Sequence, residues 1–376
     1  MYNNLSILRD RMKKIKITHL TSAHPRYDMR IFHKECSSLA KNKEYIVSLI
    51  VADNKGNEYI NNVNIYDVGK LSGRVNRMSR TIFSVYKQAV KLDSDIYHFH
   101  DPELIPIALL LKKKKKKIIF DIHEKLSLQI LNKTYINKKL RKFISLSYST
   151  IENYAAKRFD YLFVPQPSMV NEYLKLNKTE LIENFVILNE TPKKDLNSKE
   201  NIIFHPGALN KERGLWNMIH SVKELKNCKL YLAGGIKQID LTNIKKINSK
   251  NIEYLGLLTP KEVQMLYHKT SLGLILYNNV GQYYLSYAVK LFEYMSYGIP
   301  VIMPNFGEWV DFNKENECGI NVDPTDPNKV KEAILSLLND PEKIKKMGKN
   351  GKKAIDEKYN WDIVEKKLFK VYKELI

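Results

Sequence analysis

The stretch IKITHLTSAHPRYDMRIFHKECSSLAKNKEYIVSLIV, residues 15–51, decides the fold class. It opens with a short apolar run at 15–20 and closes with another at 46–51. Between them lies a segment, 29–41, whose Phe32, Cys36, Leu39 and Ala40 recur at helical spacing. Two strands joined through a helix are parallel neighbours in one sheet, because a parallel pair needs a long crossover. The same alternation continues outward in both directions of the argument. Strands are predicted at 96–99, 118–121, 161–164 and 186–188, and again at 202–204, 229–233, 252–255, 272–277 and 301–303. The break comes at 190–201, ETPKKDLNSKEN, which is polar, carries a proline and lacks apolar periodicity.

The expectation is therefore an α/β chain of two doubly wound, Rossmann-like domains facing a central cleft. Its predicted boundaries are 1–192 for the first domain, 193–359 for the second, and 360–376 for a final helix. That helix carries Ile363, Val364, Leu368, Val371 and Tyr372 on its apolar side. Ligands of open parallel sheets sit beyond the carboxyl ends of the strands, so the residues just after each strand are the ones to inspect.

Composition narrows the class. The 376 residues are 44% hydrophobic, enough for a substantial core. Three cysteines, Cys36, Cys228 and Cys318, form no close pair, which argues against a disulfide framework and a thiolate zinc site. No apolar stretch reaches the ~20 residues that span a bilayer, and residues 1–14 do not read as a signal peptide. A cytoplasmic protein is expected. The 62 lysines and arginines exceed the 41 acids, giving +21, which implies an anionic partner or simply a lysine-rich codon bias. Nucleic acid is not the expected partner: no zinc finger, helix-turn-helix or aromatic RNA-binding motif is present. The run from Lys112 to Lys117 is basic. So is the stretch from Lys138 to Lys142, which lies among leucine, isoleucine and tyrosine. Both suit an anionic membrane surface, or are solvated turns.

Two loops carry phosphate chemistry. In YAVKLFEYMSYGIP, residues 287–300, Lys290 and Glu293 share a helix face three residues apart. A carboxylate there can accept both hydroxyls of a ribose, and an ammonium can neutralise a diphosphate; an ordinary surface pair has the same spacing. In HPGALNKERG, residues 205–214, a glycine follows a strand, and Arg213 precedes a helix opening at Gly214. That arrangement directs backbone N–H groups and a guanidinium at an anion.

These tracts, together with KITHLTSAHPRYDMRIFHKECSSLAK, YHFHDPELIP and IIFDIHE, resemble the retaining glycosyltransferase family 4, in the family's order, from residue 15 to about 372. The resemblance implies the GT-B fold and sugar transfer from a nucleotide-sugar donor to a glycan or lipid-linked acceptor. By the same resemblance Glu293 binds the donor ribose, Lys290 and Arg213 hold the diphosphate, and His123 contacts the donor sugar. Gly207, Gly256, Leu257 and Leu291 complete the donor site. The loop with His24, Arg26 and Asp28 approaches the diphosphate and acceptor. A front-face reaction, without an obligatory metal or other cofactor, is the implied mechanism.

Two positions depart from the family: Leu285 stands where a first glutamate often lies, and Ala208 where an arginine often follows the loop glycine. The His98-x-His100-Asp101 strand end has metal-ligand residue types and Asp93-Ser94-Asp95 the spacing of a metal-binding acidic pair, but no metal is expected at either. A nucleotide-sugar 2-epimerase of the same architecture and a non-catalytic glycan-binding relative are the rival functions.

Overall fold

The computed structural model describes residues 14–73, 76–131, 136–188, 201–284 and 287–376. The chain divides into two compact units, residues 1–184 with 363–376, and residues 185–362. The division falls before the predicted boundary at 192/193. Most of the predicted linker and Leu285 lie outside the described residues.

The first unit is built on an eight-stranded sheet. Its strands are β1 (Ile15–Leu20), β2 (Tyr45–Val51), β3 (Glu58–Ile60), β4 (Val63–Asp67), β5 (Ile96–Phe99), β6 (Lys117–Asp121), β7 (Tyr161–Val164) and β8 (Thr179–Leu181). Their spatial order is β3-β4-β2-β1-β5-β6-β7-β8, and only β3 runs antiparallel to its neighbour. The chain reverses its winding between β1 and β5, so the loops after these two strands flank the crevice where such sheets bind ligands. Alternation along each strand sorts the side chains. Tyr97, Phe99, Ile118, Phe120, Leu162 and Val164 enter one hydrophobic core. His98 and His100 lie on the other side of β5.

That second side is covered by residues 29–39, predicted as an ordinary helix. Met29–Cys36 instead coils as a wide π-helix, visible in the bond from His33 N–H to Asp28 O, and Ser37–Leu39 continues as an α-helix. The final helix, Trp361–Leu375, buries Val364, Leu368, Val371 and Tyr372 completely.

The second unit has six parallel strands: β9 (Asn201–Pro206), β10 (Cys228–Ala233), β11 (Ile252–Gly256), β12 (Thr270–Leu274), β13 (Val301–Pro304) and β14 (Gly319–Val322). Their order is β11-β10-β9-β12-β13-β14, with the switch point between β9 and β12. Ile203, Leu230, Leu232, Leu272 and Leu274 pack into one core. Ile202, Phe204, Val301 and Met303 pack into the other, so both faces are covered. The strand predicted at 186–188 is a correction: Val186 makes only an isolated bridge to Asn360, and Phe185 beside it packs on Phe292 and Tyr359.

Candidate functional site

In the second unit the ends of β9, β10 and β11 are tied by backbone bonds. Gly207 N–H donates to Ala233 O at 2.8 Å, and Gly234 N–H to Gly256 O at 2.7 Å. Gly207, with φ +114°, has no side chain, and that leaves room for two cations. A Cβ there would lie 3.2 Å from Lys290 Nζ and 3.8 Å from an Arg213 guanidinium nitrogen. Arg213 ends a helical turn, Lys211–Arg213, whose cap Asn210 accepts its N–H. Its Nε donates to the Tyr283 hydroxyl at 3.3 Å. Lys290 comes from the first turn of the helix Val289–Ser296 and is buried.

The spacing that suggested a Lys290–Glu293 surface pair does not produce one. Lys290 Nζ turns inward, 2.9 Å from His205 Nε2. The other ring nitrogen, Nδ1, faces the Leu274 carbonyl at 2.7 Å. A carbonyl only accepts, so Nδ1 carries the proton and Nε2 receives the ammonium's. Glu293 in turn accepts from the Tyr267 hydroxyl at 2.6 Å. Among the described residues no carboxylate forms an ion pair with Lys290 or Arg213. Burial, and then the nearby Arg213 charge, push the Lys290 ammonium down to about 7.

The donor-site residues predicted in this unit divide. Arg213, Lys290 and Gly207 are brought together; Glu293 stands one turn further along the same helix. Gly256, with φ +77°, closes β11 and leaves Leu257 82% exposed. Leu291 is a correction: its side chain is fully buried in the core and its N–H donates to Ala288 O, so it does not join the cluster. Sequence reasoning missed His205, Tyr267, Tyr277 and Tyr283. His205 ends a strand and so had a positional signal; the tyrosines had none.

In the first unit, His123 follows β6 and its ring is 22% exposed. Its Nε2 lies 3.0 Å from Asp121 Oδ2, and its ring lies 4.9 Å from that of His24. His24 pairs with Asp101 at 2.9 Å, and Asp101 also accepts from the Thr21 hydroxyl and Ser22 N–H. Burial opposes the Asp101 charge, but His24 and these donors outweigh it and hold the carboxyl well below its usual range. Asp121 accepts a bidentate pair from Arg30, at 2.7 Å each, and faces His100 Nδ1 at 3.1 Å.

Two loop predictions need correction. Arg26 is only 3% exposed and is held by Asp53 through two bonds and by Glu58 and the Gly56 carbonyl. Asp28 caps the helix Met29–Cys36, accepting from the N–H groups of Arg30 and Ile31. Both are structural, because a buried guanidinium and a helix start each need such partners. Only His24 of that loop reaches His123. The signal for Arg30 and Glu35 was absent from periodicity, since charged residues on a helix read as its solvent face; Asp121 closes β6, where nothing in the strand pattern pointed to its distant partner.

Residues 33–190 match the family model described as Glycosyltransferase Family 4, and residues 187–354 that of Glycosyl transferases group 1. The chain belongs to glycosyltransferase family 4. An uncharacterized glycosyltransferase of Methanocaldococcus jannaschii is 28% identical over 211 residues, 55% of this chain and 58% of that protein. The capsular polysaccharide biosynthesis glycosyltransferase CapM of Staphylococcus aureus is 24% identical over 177 residues, 46% of this chain and 45% of CapM. The chain thus spans about half the length of the curated relatives it matches. Among solved structures, Anabaena HepE in complex with UDP and glucose superposes with a TM-score of 0.70 at 10% identity, covering 96% of this chain and 100% of that one. The fold of this family 4 chain is GT-B, with two parallel-sheet, Rossmann-like domains. Among the described residues no helix is long and apolar enough to cross a membrane.

Proposed function

We propose that this glycosyltransferase moves a sugar from a UDP- or GDP-sugar to a glycan or lipid-linked acceptor, with retention of configuration, in surface polysaccharide or glycolipid synthesis. The observation that carries the reading is the pair Arg213 and Lys290, two cations converging on Gly207 with no carboxylate among the described residues paired to either. Such a pair lacks its counter-ion, and a diphosphate supplies one in a site where each contact is strong because water is scarce. Glu293, on the same helix, takes the ribose. His123, oriented by Asp121, takes the donor sugar. The relatives agree in kind: HepE is seen in complex with UDP and glucose, and CapM is a capsular polysaccharide biosynthesis glycosyltransferase.

In the reaction the bond from the anomeric carbon to the diphosphate oxygen breaks. The acceptor oxygen bonds to the same face of that carbon, and the acceptor proton passes to the departing diphosphate. Arg213 and Lys290 stabilise the charge that develops on the leaving group, so this step is assigned no metal.

We place an anionic membrane surface, at the cytoplasmic side, against the helix Lys138–Ala156. Its Leu140, Phe143, Leu146, Ile151 and Tyr154 are each half or more exposed beside Lys138, Lys139, Arg141 and Lys142. The lysine run from 112 to 117 fits less well, since Lys112, Lys116 and Lys117 pair with Asp160 and Asp93.

A panel of UDP-, GDP- and ADP-sugars, read by thermal shift and by release of free nucleoside diphosphate with and without acceptor glycan, tests the transfer reading. Stabilisation by one nucleotide with slow hydrolysis supports it, since a ligand of the native state raises the melting temperature. Interconversion of the donor sugar without release points to the epimerase, and silence across the panel to a binding protein.

A further inference from the structure

On the side of the first sheet opposite its main core, four donor groups close around one point. Register explains why. His19 of β1 stands beside His98 of β5, and His100, two residues on, shares that face. Glu35 descends onto them from the π-helix. All four side chains are completely or almost completely buried, and their donor atoms lie within 4.8 Å of one another.

Glu35 Oε2 is 3.8 Å from His19 Nδ1, 3.9 Å from His98 Nδ1 and 3.9 Å from His100 Nε2. These separations are too long for hydrogen bonds. Among the described residues neither Glu35 oxygen nor His98 Nε2 has a hydrogen-bond partner. Glu35 has one cation beside it, Arg30 Nε at 3.2 Å, but that ion pair is made through Oε1 and the same nitrogen donates to Asp121. Oε2 is left facing three imidazoles.

We propose that His19, Glu35, His98 and His100 bind a divalent metal ion of the zinc type. Four donors at about 2.0–2.1 Å from a tetrahedral ion are roughly 3.3 Å apart. The gap between His19 Nδ1 and His100 Nε2 is 3.0 Å and the three from Glu35 are 3.8–3.9 Å, with every ligand atom within 4.8 Å of the others, a site slightly wider than a bound ion would draw it. Two of the three histidines make the bonds that metal-bound histidines make through their second nitrogens, whereas His98 Nδ1 already meets the Tyr372 hydroxyl at 2.9 Å, a contact that an ion bound at that nitrogen displaces. His100 Nδ1 faces Asp121 at 3.1 Å, and His19 Nε2 faces the Tyr372 hydroxyl at 3.3 Å. Binding displaces the one proton that sits between His19 and His100.

The set His100, Asp121 and His123 is the weaker alternative, because both Asp121 oxygens are already taken by Arg30. Four protein ligands leave no open position, so the ion is structural. It pins β1, β5 and the π-helix together and does not touch the sugar. With no exposed ligand, the metal enters during folding.

The test begins with the purified full chain and needs no substrate. Plasma mass spectrometry is expected to find about one zinc per chain, retained when the native protein meets EDTA and lost when it is unfolded with EDTA. Refolding with zinc restores the melting temperature, and refolding with EDTA leaves it several degrees lower. Refolding with cobalt gives a visible absorption band that Glu35→Gln abolishes. Metal-free protein whose melting temperature ignores zinc on refolding would overturn the proposal and make the four groups a neutral hydrogen-bonded network. So would a Glu35→Gln variant that keeps both metal and cobalt band. If that variant fails to fold, the stoichiometry and refolding of the unaltered chain still decide.

Discussion

Replacing Lys290 with methionine is expected to stabilise the protein while disabling it. The buried ammonium falls from its ordinary 10.5 to about 7. At about 1.4 kcal/mol per unit, that drop is a destabilisation of roughly 5 kcal/mol. The sign follows from proton counts. Below about pH 7 the lysine is charged both folded and unfolded, and the full penalty applies. Between about 7 and 10.5 the unfolded chain binds the proton and the folded one does not, so the penalty shrinks by about 1.4 kcal/mol per unit and vanishes near 10.5. Methionine removes this term but deprives His205 Nε2 of its donor, a loss of about 1–2 kcal/mol. The variant should gain about 3 kcal/mol at pH 6, about 2 at pH 8, and nothing near pH 9.5. Urea unfolding followed by a probe in residues 185–362, across this pH series, measures it. Nucleoside diphosphate affinity should fall about 10- to 100-fold, the worth of a charge-assisted bond. A variant no more stable than the parent at pH 6, or a gain that does not shrink with pH, would refute the unpaired ammonium.

In the unaltered chain, diphosphate binding should take up one proton above about pH 7, weakening about tenfold per pH unit; calorimetry in buffers of different ionisation enthalpy reads the proton. Glu293→Ala is expected to abolish transfer and weaken nucleotide binding with the fold intact, as circular dichroism and thermal shift would report; near-normal turnover would sink the ribose assignment. Arg26→Ala should destabilise the first unit by about 2 kcal/mol, by stranding Asp53, yet leave the Kd for nucleoside diphosphate unchanged. Exchanging Leu140, Phe143 and Leu146 for serine should reduce co-sedimentation with phosphatidylglycerol vesicles without changing the melting temperature; unaltered sedimentation would remove the membrane from the account.

Much of the fold was legible because strands buried on both faces announce themselves as apolar runs. The strands that escaped are those with weak runs. Glu58–Ile60 is a three-residue edge, Val63–Asp67 alternates with asparagine and tyrosine, Thr179–Leu181 is a polar edge, and Gly319–Val322 is four residues long. The site was legible where chemistry is local. Gly207 and Arg213 fall in one loop, and Lys290 and Glu293 in one helix. It was illegible where partners are far apart: Arg30 and Asp121 are 91 residues apart, and His98 and Tyr372 are 274. Arg26 misled for a related reason. A guanidinium in a loop after a strand reads as a phosphate ligand, and only the position of Asp53 and Glu58 reveals that its charge is spent within the fold.

Taken unit by unit, the same distinction locates the anion affinity. In the first unit the two buried guanidiniums are internally matched, Arg26 by Asp53 and Glu58 and Arg30 by Asp121 and Glu35, and the half-buried His24 pairs with Asp101. Matched ions contribute order rather than affinity, because an incoming anion would have to displace a carboxylate already in place. In the second unit Arg213 and Lys290 rest against tyrosine rings, with Tyr277 5.6 Å and 5.7 Å away, and against a neutral histidine. None of these partners carries a negative charge, and burial holds the Tyr277 hydroxyl at about 12, well away from ionising. The net charge of +21 is therefore a poor guide to where a phosphate goes. Surface lysines are screened within about 10 Å at ordinary salt, whereas the buried Lys290 and half-buried Arg213, with no carboxylate partner among the described residues, are screened much less. Binding of a nucleoside diphosphate should accordingly survive salt that strips the chain from anionic vesicles. If both were lost together as salt rises, the cations at Gly207 would not be the anion site.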